Sequence, residues 1–267
     1  MTVKAKKHLG QHFLTDKNIC AKIANTYGKH QGCKRVLEIG PGMGALTEFL
    51  LKDEELEVWV MDVDHESIEY LGEHFPKLEG RILEKDFLRV KLEEIMGKEA
   101  FSVVGNFPYN ISSQILFKCI DYKDQIPEIM GMFQKEVAER VAEKPGSKQY
   151  GILSVLLQAY YDIDYCFTVD EHVFNPPPKV KSGVIRCVRN ERDKLPCSED
   201  LFKRIVKTTF NQRRKTIWNT IKPLVSHLSD DEKSELKAHP YMSLRPEVLS
   251  VEQFIELTQL VGQEVKG

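Results

Sequence analysis

Residues 34–50 constrain the fold more than any other stretch. Lys34-Arg35-Val36-Leu37-Glu38-Ile39 is a short apolar run that passes directly into Gly40-Pro41-Gly42-Met43-Gly44. A run of that length bounded by glycines reads as a buried strand. Leu46, Phe49 and Leu50 then fall on one face of a helix beginning near Ala45. Strand, glycine turn and helix in succession form the opening unit of an open α/β sheet, where glycines let the backbone approach a nucleotide-type cofactor closely. The spacing Gly-x-Gly-x-Gly differs from the dinucleotide fingerprint Gly-x-Gly-x-x-Gly. By itself, then, the turn fits a plain strand–helix connection as well as a ligand site.

The pattern repeats along the chain. Further strands are expected at 57–64, 81–85, 101–105, 128–133, 160–169 and 183–188, seven with the first. Helices are expected between them, carrying Ile19, Ile23 and Tyr27 behind a Thr15 or Asp16 cap, then over 111–120, 134–143 and 150–159. Strands alternating with helices predict an α/β fold with a mostly parallel sheet. Phe174-Asn175-Pro176-Pro177-Pro178-Lys179-Val180 reads as a stiff extended segment, because successive prolines fix φ. Charged residues 190–196 end in Pro196 and read as a linker. Beyond it Leu201, Phe202, Ile205, Val206 and Phe210 make one helical stripe. This predicts domains at 1–190 and 197–267, the second all-helical.

Acids close two of the strands. Asp62 lies 22 residues beyond Gly40, near the spacing at which a carboxylate meets a ribose hydroxyl in doubly wound folds. Asp64 is the runner-up, and suits a cap on a helix beginning near His65. Asp86-Phe87 follows the third strand, where Asp86 reads either as a rim ligand or as a turn cap.

Net charge is −2, but the charges are segregated. Residues 1–35 hold eight Lys/Arg against one acid, and 171–222 hold thirteen against five; 36–100 hold seven against seventeen. Two basic blocks would make a polyanion-binding surface if they shared a face, and are otherwise two solvated faces. Arg213-Arg214-Lys215 interrupts the apolar stripe of the helical region, as a phosphate contact or a solvated basic turn. The six cysteines are scattered with no close pair at metal-ligand spacing, which suits small core residues in a reducing compartment. No apolar run approaches bilayer length and Met1–Lys7 lacks a following apolar region, so a soluble, unexported protein is expected.

Asn106-Phe107-Pro108-Tyr109 follows the strand at 101–105. The pattern Asn-x-Pro-Tyr suits an exocyclic amine on a planar base such as adenine, whose nitrogen lone pair is delocalised into the ring. The Asn106 side-chain oxygen and the Pro108 carbonyl would accept its two hydrogens, draw the nitrogen towards tetrahedral geometry and aim its lone pair. Tyr109 would offer a stacking face worth about 1–3 kcal/mol. A strand ending in a proline turn, with Tyr109 as core, reads the same residues.

Taken together, the chain resembles the ribosomal RNA adenine-N6,N6-dimethyltransferase family linked to kasugamycin sensitivity. The resemblance runs from Leu9-Gly10-Gln11-His12-Phe13-Leu14 to Leu244-Arg245-Pro246-Glu247-Val248-Leu249. It implies a Rossmann-like class I methyltransferase sheet, S-adenosyl-L-methionine as cofactor, and two adjacent adenosines near the 3′ end of 16S rRNA as substrate. By position, His12 and Leu14 match residues that close over the cofactor. Gly40, Gly42 and Gly44 match the turn under its amino acid portion, Asp62 the ribose acid, and Asp86 with Phe87 the adenine-reading pair. Asn106, Pro108 and Tyr109 match the target-amine site, with Asn106 also among the cofactor-binding residues, Phe174 an aromatic on the base's other face, and Arg213, Arg214 and Lys215 an RNA-facing turn. No metal is implied, nor any membrane; a cytoplasmic monomer partnered with the small ribosomal subunit is. Most relatives have Asn at His12 and Glu at Asp62, and many have Leu at Phe107. Rival readings are the large-subunit dimethyltransferase of macrolide resistance, a DNA adenine methyltransferase, and a non-catalytic RNA-binding assembly factor.

Overall fold

The expected glycine turn lies at the middle of a seven-stranded sheet in the computed structural model, which describes residues 3–263. In chain order, β1 (Phe13–Leu14) precedes α1 (Lys17–Thr26), whose N-terminal amides at Asn18 and Ile19 are capped by the Asp16 carboxylate. β2 (Arg35–Ile39) leads through the turn to a short α2 (Thr47–Leu50). β3 (Glu57–Asp62), α3 (His65–His74), β4 (Ile82–Glu84), α4 (Leu92–Met96), β5 (Ser102–Asn106) and α5 (Ser112–Asp121) continue the alternation. β6 (Glu128–Gln134) runs into α6 (Lys135–Ala142), then α7 (Ile152–Gln158), β7 (Tyr161–Val169), β8 (Phe174–Asn175) and β9 (Ser182–Arg189). Four α-helices follow: α8 (Glu199–Asn211), α9 (Ile217–Ile221), α10 (Asp230–Ala238) and α11 (Val251–Gln263).

The sheet order is β4-β3-β2-β5-β6-β9-β7, with β9 antiparallel to both neighbours and the remaining pairings parallel. All seven strands expected from the sequence are present. The strand expected over 57–64, β3, ends at Asp62, and Asp64 beyond it caps α3, accepting from the Glu66 amide. β1 and β8 form a separate antiparallel ribbon, Leu14 opposite Phe174, that the sequence did not predict.

Strand order reverses between β2 and β5, which leaves a crevice at their C-terminal ends where ligands bind in such sheets. Gly40 follows the end of one of these strands and Asn106 ends the other. Val36, Val58, Val60, Val104, Met130 and Met132 build the core beneath, none more than 1% exposed.

The chain divides into two compact units. One takes in the chain up to Glu139 together with Tyr161–Asn190; the other takes in Arg140–Tyr160 and the chain from Glu191 onwards. The helices expected from residue 197 are therefore joined in their unit by the helical segment 140–160. Tyr150, Phe210 and Phe254 stack edge and tilted there, with ring centroids 6.1 and 5.8 Å apart, and each such burial stabilises by about 1.5–3 kcal/mol. Among the described residues no helix is long and apolar enough to cross a membrane.

Candidate functional site

A cavity opens over the C-terminal ends of β2, β3 and β5. His12, Gly40, Gly42, Asp62, Asp86, Asn106, Pro108 and Tyr109 all line it, far apart in sequence and brought together by the strand order. Leu14 lines an adjoining pocket with Glu38, Pro41 and Asn106.

The turn after β2 is held with φ +68° at Gly40, +55° at Gly42 and +80° at Gly44. A Cβ at Gly42 would stand 2.7 Å from Phe13 as well as straining the backbone, so this position admits glycine alone. The Gly42 amide donates to Asp62 at 3.4 Å and the Asp64 amide at 3.0 Å. These bonds aim the Asp62 carboxylate into the crevice, where burial pushes its pKa up. Val63 beside it is 49% exposed, an apolar face on the cavity wall. Asp86 caps its own turn at the Leu88 amide, 2.9 Å, and pairs with Arg89 at 3.1 Å while still lining the cavity. Asp86 is thus a turn cap that also stands at the cavity rim.

Asn106 donates its amide nitrogen to the His12 carbonyl at 2.9 Å. That contact sets which way the amide faces and leaves the side-chain oxygen as the acceptor available to a ligand. The Pro108 carbonyl accepts from the Ile111 amide at 3.2 Å, which uses one of its two lone pairs. Tyr109 hydrogen-bonds Ser182 through its hydroxyl, and burial pushes the phenol up. Its ring stacks against the His12 imidazole at 5.4 Å and 26° between planes. The His12 Nδ1 lies 2.8 Å from the Pro176 carbonyl oxygen.

Other expected site residues stand apart from the cavity. Phe174 is 3% exposed and packs in the core with Leu14 and Val184. Phe87 is buried beneath Lys118, whose ammonium donates to the Phe87 and Val90 carbonyls. Gly44 faces Phe75. In the helical unit Arg213 donates to the Ser147 carbonyl at 2.9 Å and to that of Lys148, so its guanidinium secures a loop. Arg214 and Lys215 are exposed beside it.

Sequence reading passed over Glu38 and Ser182. Glu38 is 1% exposed at the inner end of the crevice; burial pushes its carboxyl up to about 8, opposed by Thr47, which donates at 2.6 Å, and reinforced by Asp62. The signal was an acid in an otherwise apolar strand. Below about pH 8 the folded protein holds a proton there that the unfolded chain releases near the ordinary carboxyl range. Stability therefore falls as pH rises through that window and is flat above it. Glu38→Gln removes this dependence. Its stability relative to the unaltered protein should rise between pH 5 and 8.5, by up to a few kcal/mol, roughly, in parallel melting curves. A constant difference across that range refutes the assignment.

Residues 2–259 match the family described as ribosomal RNA adenine dimethylase. Ribosomal RNA small subunit methyltransferase A of Flavobacterium johnsoniae is 55% identical over 259 residues, 97% of this chain and 96% of that one. Its counterpart from Parabacteroides distasonis is 56% identical over 262 residues, 98% of this chain and 95% of that one. Among solved structures, a dimethyladenosine transferase from Plasmodium falciparum superposes with a TM-score of 0.77 at 25% identity, covering 95% of this chain and 98% of that chain. The 23S rRNA methyltransferase ErmE shares the fold, with a TM-score of 0.65 at 24% identity over 92% of this chain and 99% of that chain.

Proposed function

The chain belongs to the ribosomal RNA adenine dimethylase family, and from that premise we propose that it methylates N6 of two adjacent adenosines near the 3′ end of 16S rRNA, giving N6,N6-dimethyladenosine. The observation that carries this reading is the convergence of three groups on one cavity: the Asn106 amide oriented by His12, the Pro108 carbonyl and the Tyr109 ring.

The residues present fit S-adenosyl-L-methionine. The glycine turn gives close backbone approach, and of the cavity-lining residues Asp62 would meet the ribose hydroxyls, Asp86 the purine amine and Val63 an apolar ring face. Carboxylates accept at about four positions, so the amide bonds to Asp62 leave capacity for hydroxyls. When bound, the cofactor supplies a methyl carbon already activated by a positive sulfur. The protein's part is binding and orientation. Asn106 and Pro108 accept the amine's hydrogens and turn its lone pair towards the methyl donor. No side chain serves as base, since the alkylated nitrogen is acidic enough to lose its proton to water. One N–H remains after the first transfer, which lets the same pair of acceptors hold the base for a second.

A base leaving its stack loses a few kcal/mol, roughly, which Tyr109 offsets by stacking. The His12 ring stands against that face and yields to the base. Phe174 is held in the core with Leu14 and Val184, so the stacking face read here for the base is that of Tyr109. In the helical region, 197–267, Arg214 and Lys215 make phosphate contacts while Arg213 holds the turn that presents them. An rRNA substrate supports a cytoplasmic location, and the six free cysteines suit a reducing compartment.

Relatives more than half identical carry the small-subunit name, whereas the large-subunit enzyme ErmE is 24% identical, which favours the small subunit. An intact amine site favours catalysis over pure scaffolding. Incubation with methyl-labelled cofactor and separately with under-methylated small and large subunits decides among these readings. Label should enter two neighbouring 16S adenosines and no large-subunit base. Label in the large subunit, or none in either, overturns the proposal.

A further inference from the structure

The segment from His8 to Phe13 forms one wall of the cavity. One end of it is tied down by the pairing of β1 with β8 and by Asn106 on the His12 carbonyl. The other end has a different anchor. The Asp64 side chain is fully buried and accepts from Gln11 at 2.9 Å, from Ser67 at 3.2 Å and from the Lys6 ammonium, which also lies 3.1 Å from Glu66. Gln11 in turn accepts from the Lys6 backbone amide at 2.8 Å, so these two residues hold each other as well as the acid. Burial alone would push the Asp64 carboxyl up, but the bonds from Gln11 and Lys6 outweigh it and keep the carboxyl below the usual range. The Asp64 amide donates to Asp62, and Asp62 accepts from Gly42. A continuous polar chain therefore runs from the wall segment to the ribose-facing acid and the glycine turn.

We propose that Lys6, Gln11 and Asp64 form a latch that holds the segment 6–13 closed over bound cofactor and sets how fast the cofactor leaves. The proposal rests on reading the cavity as an S-adenosylmethionine site. Asp64 is a positioning residue here: it touches no reacting atom and acts through the segment it secures. The acids two residues apart on this strand end divide the work, Asp62 facing the ligand and Asp64 the lid. A buried carboxylate at this place holds an ammonium and an amide firmly, since hydrogen bonds to charged groups are the stronger ones.

The test measures dissociation of S-adenosylhomocysteine by rapid mixing, in the unaltered protein and in Lys6→Met, Gln11→Ala and Asp64→Asn. Asparagine still caps α3, so Asp64→Asn separates the latch from the helix cap. Dissociation should quicken about tenfold in Lys6→Met and Asp64→Asn. Single-turnover methylation at saturating cofactor should stay within about twofold of the unaltered rate in Lys6→Met, and Lys6→Arg should keep release slow. A purely structural role would lower the melting temperature without changing release. Unchanged release in Lys6→Met and Gln11→Ala overturns the latch, whether or not Asp64→Asn folds. Failure of the unaltered protein to bind S-adenosylhomocysteine would instead remove the reading beneath it.

Discussion

Asn106→Ala should slow methyl transfer by about 10²–10³-fold, the loss seen when one preorganised polar partner is removed from a reacting centre. Asn106 ends β5 beside the glycine turn, and its amide nitrogen is already committed to the His12 carbonyl at 2.9 Å. Its oxygen is the acceptor the amine needs. Alanine leaves only the Pro108 carbonyl, which shares itself with the Ile111 amide at 3.2 Å. One acceptor can bind the amine but cannot fix the direction of its lone pair, so the loss falls on the rate at saturation. The turn at Gly40–Gly44, Asp62 and Asp86 are untouched, and the β1–β8 pairing still ties down the wall segment that loses its Asn106 bond. S-adenosylhomocysteine binding should therefore weaken by no more than about tenfold. Single-turnover transfer to under-methylated small subunits, alongside equilibrium binding, separates the two effects. Near-normal transfer in the variant would remove the amine-acceptor role.

Much of this was legible because it is local. The strand–glycine–helix unit, the apolar runs of the other strands and the caps at Asp16 and Asp64 depend on neighbours a few residues away. The crevice was legible at one remove, since strand order in a doubly wound sheet puts the ends of β2 and β5 side by side. What escaped depends on distant partners. The ribbon of β1 and β8 has two residues in each strand and joins Leu14 to Phe174, and no periodicity can appear in so few residues. Its pairing is what buries Phe174. Arg213 reads as a phosphate contact until Ser147 and Lys148 supply carbonyls to it. Glu38 reads as an ordinary strand residue until the fold closes over it, and burial changes its protonation. The segment 140–160 is helical on its face, yet its membership of the C-terminal unit follows from packing around Tyr150.

Gly131→Ala should cost about 2–4 kcal/mol and lower the melting temperature by roughly 5–15 °C. Gly131 in β6 pairs directly with Gly105 in β5, and the Phe107 ring folds into the space these two glycines leave, tilted against Phe133 at 4.9 Å. A Cβ on Gly131 would stand 2.2 Å from the Phe107 ring and 2.6 Å from the Gly105 carbonyl oxygen. The first clash is with a side chain only 1% exposed, the second with the backbone of a central strand, so neither yields cheaply. The phenylalanine at position 107 is thus accommodated by a glycine on the neighbouring strand. Phe107→Leu alone should cost about 1 kcal/mol through the void it opens. The double variant Gly131→Ala/Phe107→Leu should recover part of the loss but not all, because the Gly105 carbonyl remains in the way. The two substitutions would then be less damaging together than their sum, the sign expected for a shared space. Because Phe107 sits between Asn106 and Pro108, its displacement would also spread the two amine acceptors, so activity should fall in Gly131→Ala and partly return in the double variant. A Gly131→Ala protein that melts with the unaltered one would show that the strands part without penalty, and would sever the link drawn here between this glycine and the amine site.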